Sequence, residues 1–311
     1  MTIFDAIIQG VVQGLTEFLP VSSSGHLAIT QHIMGVTENN LFFNVMLHIG
    51  TLVAVVAFYY KLIWRLIKEF IAIIKDIFTK NFSFKNMNSD RNMIFMLIIA
   101  LCPLFLLFLP IPFTDLKIKD LADILSGDQK YFFVVGISLL VTSALLTIGS
   151  ALNKKMTEKA KREGTLTELG AGKKSLTVVD AIAVGLTQVC AALFPGLSRS
   201  GSTLAAGQMR GVNRQTALDF TFVMAIPSIL AAAVLELSDA LSSPEGIGIS
   251  LWVIVAGMIA SAIVGYFSIV LFKWLLKTNK MIVFIAYTAV VGVAVIVVSI
   301  IEANIGHSLF V

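Results

Sequence analysis

The chain has 311 residues, of which 57% are hydrophobic and only 14% charged, and its mean hydropathy is +0.89. That composition excludes a water-soluble domain and marks an integral membrane protein. A net charge of +4 does not imply a nucleic-acid partner, because Lys and Arg gather in a few loops, as membrane topology requires.

Cys102 and Cys190 lie in apolar runs with no metal-ligand or disulfide spacing. The start, Met-Thr-Ile-Phe-Asp, lacks a basic n-region, so the first segment is expected to belong to the mature fold. Thr2 to Leu15 is an apolar helical stretch roughly 21 Å long, too short for a hydrocarbon core of roughly 30 Å. Gln9, Gln13 and Glu17 fall at i, i+4 and i+8, which puts three polar side chains on one helical face. Pro20 breaks that helix, Ser22-Ser23-Ser24-Gly25 follows, and Leu27 to Met34 offers a short returning arm. The pair reads as a re-entrant hairpin whose tip lies at membrane depth, where broken backbone must be buried in protein or face a water-filled cavity.

Phe42 to Tyr60 is the first spanning candidate and leads into a basic loop with Lys61, Arg65, Lys68, Lys75, Lys80, Lys85 and Arg91, expected in the cytoplasm. Met93 to Phe113 crosses back, with Pro103, Pro110 and Pro112 kinking it or ending it early. Asp115, Asp120, Asp123 and Asp128 mark an outer loop, Tyr131 to Leu152 returns inward, and a second basic loop runs from Lys154 to Lys174. Another broken segment begins near Thr177, turns at PGLSRSG and returns to Arg210 and Arg214, so it enters from inside. Phe220 to Leu237 crosses outward to a loop with Asp239 and Glu245. Leu251 to Phe272 comes back to Lys273, Lys277 and Lys280, and Met281 to Ile301 makes the last crossing.

The halves echo one another. Gly185-Leu186-Thr187-Gln188 answers Gly14-Leu15-Thr16-Glu17, and the turn at Pro195 to Gly201 answers the turn at Pro20 to Gly25. Each half holds one hairpin plus three spans, and an odd number of crossings inverts the second copy. The expected fold is an all-α polytopic membrane protein with an inverted-topology repeat, each half one re-entrant helical hairpin plus three transmembrane helices. It forms a single membrane domain over 1–311, with halves at 1–152 and 176–303 and a cytoplasmic connector at 153–175. In such folds a site lies near the midplane where the broken segments meet, and two helix N-termini there attract an anion.

Glu17 sits in apolar sequence, where a charged side chain costs about 2.5–3.5 kcal/mol, so an intramembrane site is the default reading. Arg199 could clamp a phosphate or snorkel to the boundary. His26 gains meaning from standing near Ser23 and Glu17. Ser22, Ser23, Ser24, Ser198, Ser200, Ser202 and Thr203 offer hydroxyls for chemistry, capping or packing. Gln13 could hold a phosphate or a metal-bound water, or only bond between helices. His32, His48 and His307 lack comparable surroundings and read as structural. The set suits a lipid phosphate: Arg199 and the helix ends hold it, Glu17 binds a divalent cation or takes a proton, and Ser23 or His26 attacks phosphorus or activates water. A lipid-phosphate transporter would share the architecture, but would not need a serine, histidine and glutamate beside an arginine.

QGLTEFLPVSSSGHL and PGLSRSGST closely resemble the signatures of the undecaprenyl pyrophosphate phosphatase family, the bacitracin-resistance membrane phosphatases, and the resemblance covers the whole chain. It implies hydrolysis of undecaprenyl pyrophosphate to undecaprenyl phosphate and inorganic phosphate, which recycles the carrier lipid for peptidoglycan synthesis and confers bacitracin resistance. The family's E/Q-x-x-x-E motif falls on Gln13 and Glu17, with glutamine, the poorer metal ligand, at the first position. Its serine-histidine region falls on Ser22, Ser23, Ser24 and His26. Its PGxSRSxxT motif falls on Pro195 to Thr203 and carries Ser198, Arg199 and Thr203. The resemblance also implies Mg2+ or Ca2+, with Glu17 as the metal ligand, and a multi-pass place in the bacterial inner membrane with the site open to the periplasmic or outer face. Self-association into a homodimer is left open. The expected catalytic residues are Glu17, Ser23, His26 and Arg199; those expected to bind substrate are Gln13, Ser22, Ser24, Ser198, Ser200, Thr203 and Gln188. The type 2 phosphatidic acid phosphatases share SGH-like and SR-like elements, but here no histidine follows Ser198-Arg199 and no Arg-Pro motif precedes the first element.

Overall fold

The computed structural model describes residues 1–35, 41–83, 87–127, 129–166, 170–242, 248–278 and 280–310. Lys85, Asp128 and Glu245, assigned above to loops, and the side chains of Asp123 and Asp239 lie outside the described residues. Among those described the architecture is helical: α1 Ile3–Glu17, α2 Ser23–Ile33, α3 Leu41–Phe78, α4 Ser89–Leu101, α5 Ile118–Gly127, α6 Phe132–Arg162, α7 Val178–Leu193, α8 Arg199–Met209, α9 Arg214–Ser242, α10 Leu251–Lys277 and α11 Met281–Ile305. Six helical stretches, within α3, α4 with its 3-10 extension, α6, α9, α10 and α11, are long and apolar enough to cross a membrane.

The short helices start and stop for local reasons. In α1 the Thr2 hydroxyl accepts from the Asp5 N–H at 3.2 Å while the Asp5 carboxylate accepts from the Thr2 N–H at 2.7 Å, a reciprocal capping box. Thr177 and Asp180 repeat it at the start of α7. Serine hydroxyls cap the returning helices: Ser22 Oγ accepts from the Gly25 N–H at 3.2 Å and Ser198 Oγ from the Gly201 N–H at 3.0 Å. Ser23 and Ser24 therefore open α2, where an arm from Leu27 was expected, and Arg199 opens α8. Ser22 takes φ 73, a region costly for a non-glycine residue and most often occupied where a site demands it.

Several elements depart from the expected boundaries. α3 is a single 38-residue helix with non-helical backbone at Tyr59. The basic residues after Tyr60 stay in this helix, because Leu66 and Ile73 face α4 and are buried with Ile94. Past Pro103, whose ring supplies no N–H, α4 tightens into a 3-10 stretch, Cys102–Phe108, and ends before Pro110. α5 occupies the stretch read as an acidic loop; its start is fixed by the Lys117 N–H donating to Asp120 at 2.7 Å. α9 continues through Pro227.

Lipid tails are as apolar as a helix surface, so close packing and hydrogen bonds must hold these helices together. α1 lies against α10 so tightly that a Cβ on Gly14 would come within 2.8 Å of Ser261 O. Hydroxyls stitch α10 to both neighbours, with Ser268 Oγ donating to Leu15 O of α1 at 2.7 Å and Ser261 Oγ to Leu47 O of α3 at 2.8 Å. Phe18, which ends α1, is fully buried in one cluster with Phe220, Phe222 and Phe272. The turns that end α1 and α7 touch: Ser200 Oγ donates to Leu19 O at 3.1 Å, and the Gly196 N–H donates to Ser24 Oγ at 3.4 Å. Gly196 has φ +89, and a Cβ there would lie 2.6 Å from Val135 O, so only glycine lets this turn rest on α6.

Candidate active site between two serine-capped turns

A cavity of about 550 Å³ opens between the two turns. Glu17, Ser23, Ser24, Ser198, Arg199 and Ser200 line it together with apolar residues that include Leu104, Phe108, Leu125 and Leu235, and with further polar ones, among them Gln31, Asn44 and Ser228. Ser22 and Gln188 also line it, whereas Gln13, His26 and Thr203 stand outside the lining.

Glu17 is the hub. Its side chain is 2% exposed, and an uncompensated carboxylate at such a place would be prohibitively costly. Arg199 from α8 donates to Oε1. Oε2 accepts from Ser23 Oγ at 2.6 Å and from Gln13 Nε2 at 2.8 Å, with His48 Nδ1 3.1 Å away. Because Ser23 and Arg199 are the first residues of α2 and α8, both lie where N-terminal N–H groups are unsatisfied and the helix dipole is positive. One carboxylate, one hydroxyl, one guanidinium and two helix N-termini thus share a few ångströms.

The other expected residues occupy supporting places. His26 Nδ1–H donates to Ser22 O at 2.8 Å, its Nε2 meets the Tyr287 hydroxyl at 2.7 Å, and the ring stacks on that of Tyr287, so it braces the first turn against α11. Thr203 Oγ1 donates to Arg199 O at 2.7 Å and meets Thr221 Oγ1 at 3.1 Å, tying α8 to α9. The Ser198 N–H donates to Thr142 at 3.0 Å, and Gln188 Oε1 only grazes Ser228 Oγ at 3.5 Å. At the foot of α7, outside the six apolar stretches, Asp180 is fully buried between Lys173 Nζ at 2.5 Å and Arg210 Nε at 3.0 Å. Burial alone would raise its pKa, but Lys173, Thr177 and Arg210 together lower it to about 2.

His48 is the functional candidate that sequence reasoning missed. It sits in an apolar span, and the rule that singles out Glu17 as an ionisable residue in lipid-like sequence applies to it equally. Tyr287, which holds His26, carried no sequence signal.

A hard divalent cation takes oxygen ligands, commonly one or two carboxylates together with substrate phosphate. Glu17 is the carboxylate in the site, and Gln13 Oε1 is buried without a hydrogen-bond partner, so the donors present fit one ion completed by phosphate. Among the described residues no group of three or more His, Cys, Asp or Glu side chains gathers into a metal cluster.

The chain matches the family described as bacitracin resistance protein BacA over residues 6–294. It is similar to an undecaprenyl-diphosphatase of Alkaliphilus metalliredigens, 39% identical over 301 residues, covering 96% of this chain and 99% of that protein. Proteins of the same name from Bacteroides fragilis, 34% identical over 95% of this chain and 98% of theirs, and Methanosphaera stadtmanae, 33% identical over 97% and 99%, are also similar. Relatives of this name thus occur in archaea as well, and the expectation of a bacterial membrane widens to a multi-pass membrane protein. Two polar turns meeting at a carboxylate and a guanidinium, and a family match that takes in both of them, lead to one conclusion: the chain belongs to the bacitracin resistance protein BacA family.

Proposed function

We propose that the chain hydrolyses undecaprenyl pyrophosphate to undecaprenyl phosphate and inorganic phosphate. The observation that carries this reading is the contact of Ser23 and Arg199 with the same buried carboxylate, Glu17, in a cavity that is also lined by apolar side chains such as Leu104, Phe108, Leu125 and Leu235. A pyrophosphate headgroup fits beside Glu17 and Arg199, and the first units of a prenyl chain fit the apolar side chains. Whole-length similarity to undecaprenyl-diphosphatases supports the same substrate.

In the proposed reaction the pyrophosphate takes Arg199 from Glu17, since a guanidinium pairs with phosphate in the same bidentate way as with carboxylate. The freed carboxylate accepts the Ser23 proton across the 2.6 Å hydrogen bond as Ser23 Oγ attacks the terminal phosphorus. The bond to the bridging oxygen breaks, and undecaprenyl phosphate leaves with the electron pair. Glu17 passes that proton to the departing undecaprenyl phosphate; water then attacks the phosphoserine, giving a proton to Glu17, which returns it to Ser23 Oγ as inorganic phosphate leaves. Arg199 and the N–H groups that open α2 and α8 neutralise charge on the equatorial oxygens. Mg2+ or Ca2+, held by Glu17 with Gln13 Oε1, would add charge neutralisation on the phosphate. Ser22, Ser24, Ser198 and Ser200 line the headgroup space, Gln188 borders it, Thr203 fixes α8, and His26 holds the turn that presents Ser23. An acid-stable phosphoryl-enzyme would support Ser23 as nucleophile; an acid-labile one would move the role to His26.

The finer architecture belongs to the same proposal. The halves 1–152 and 176–303 are inverted copies joined by 153–175, and the pairs α1–α2 and α7–α8 are re-entrant. The matching capping boxes and the serine caps on two 11-residue helices support that reading. Basic residues at Lys61–Lys75, Lys154–Arg162 and Lys273–Lys280 set the inner side, which opens the site to the outer face of the plasma membrane. The test is phosphate release from undecaprenyl pyrophosphate by purified protein, with and without chelator. Release supports the reading, and its absence from folded protein supplied with divalent cation would favour lipid-phosphate transport.

A further inference from the structure

We propose that His48 is a substrate-binding residue whose Nε2–H donates to a pyrophosphate oxygen, in a tautomer set by Gln13; the inference rests on the phosphatase reading above. His48 comes from α3, independent of both turns. Its Nδ1 lies 2.7 Å from Gln13 Nε2, and the same amide nitrogen lies 2.8 Å from Glu17 Oε2. A single NH2 group can donate one hydrogen to each. The opposite amide orientation would set a carbonyl oxygen 2.8 Å from a carboxylate oxygen, two acceptors facing each other. Nδ1, which also stands 3.1 Å from Glu17 Oε2, therefore accepts from the amide, and Nε2 is the ring nitrogen that carries a proton toward the cavity.

That Nε2–H makes no hydrogen bond to any described residue. The side chain is 26% exposed and forms part of the cavity wall beside Glu17 and Arg199. With Nδ1 turned inward to Gln13 and Glu17, the exposed edge is the one that carries Nε2. A donor aimed into a polar, partly enclosed space calls for an acceptor there. The headgroup's oxygens supply one, from a side that neither Arg199 nor the helix ends cover. His48 thus gives Gln13 a role as well: the amide fixes a tautomer and orients a carboxylate with the same two hydrogens.

Two substitutions separate contact from support. In His48→Asn the side-chain amide reaches the place of Nδ1 and can still meet Gln13, but nothing stands where Nε2 was. In His48→Gln an N–H can reach the place of Nε2, while the Nδ1 contact is lost. The probe is a non-hydrolysable methylene-bridged farnesyl pyrophosphate analogue, with farnesyl monophosphate for comparison, titrated into purified protein in detergent. Loss of a hydrogen bond to a charged group predicts that His48→Asn weakens the analogue about 10- to 100-fold and the monophosphate less, with the loss of turnover appearing in KM more than in kcat. His48→Gln should retain most of the affinity. Wild-type binding by His48→Asn, or equal weakening in both variants, would overturn the proposal and leave His48 as a prop for Gln13. Analogue affinity is read without turnover, so failed phosphate release by wild type would count against the phosphatase reading alone.

Discussion

The two turn regions share a frame and differ in charge. Both start from a Thr-x-x-Asp capping box and pass through a proline-containing turn to a serine N-cap and an 11-residue helix. Counted from those caps, Ser23 answers Arg199, and Glu17 answers Gln188 in the shared Gly-Leu-Thr motif. The first region holds an acid and a hydroxyl, the second an amide and a guanidinium. One backbone solution, used twice, presents two N-terminal ends to a common space, and substitutions at matched positions divide the chemistry between them.

The largest effect should come from erasing the asymmetry on the acidic side. Glu17→Gln removes the proton acceptor, and kcat for phosphate release should fall about 10²–10⁴-fold. Adding Gln188→Glu should not restore it, because Ser23 lies 2.6 Å from Glu17 and no hydroxyl in the second region occupies the matching place. Recovery in that double variant would show the two positions to be interchangeable. Arg199→Ala should cost about 10²–10³-fold in kcat/KM. It should also destabilise the protein by about 3–5 kcal/mol, since Glu17 is left buried without its cation, which thermal unfolding in detergent would register.

Smaller effects belong to the frame. Asp180 has a depressed pKa of about 2 in the folded chain. The stability it contributes is therefore complete above the ordinary carboxylate range near 3.9 and is lost as pH falls towards about 2. Asp180→Asn should flatten the acid limb of the melting curve between those limits, and an unchanged limb would remove this ion pair from the account. Gln188→Ala should change activity little, given its long contact to Ser228, and destabilise the protein by only about 1 kcal/mol through the lost packing of a buried side chain.

Much of this arrangement is legible from residues alone. Long apolar runs locate the membrane-crossing stretches, and Glu17 and Arg199 stand out because charges in lipid-like sequence are expensive. Proline and serine mark the places where α1 and α7 stop and their partners begin. What was not legible depends on tertiary contact. α3 stays helical through its basic stretch because Leu66 and Ile73 are covered by α4, a contact that lies 20 or so residues away in sequence. α5 is short and acidic, with a pattern too brief to separate from a loop. His48 looked like an isolated histidine until α3 was placed beside α1, and the contacts of His26 with Ser22 and Tyr287 left no mark in the sequence.

If the two turns act as one site through Glu17 and Arg199, a double-mutant cycle on phosphate release from undecaprenyl pyrophosphate will show it, comparing wild type, Glu17→Gln, Arg199→Ala and the double variant. Residues that act as a unit are strongly non-additive, so the double variant should be about as slow as the slower single variant. Losses that multiply across the cycle would mean that the two residues contribute independently and that the turns do not form one site.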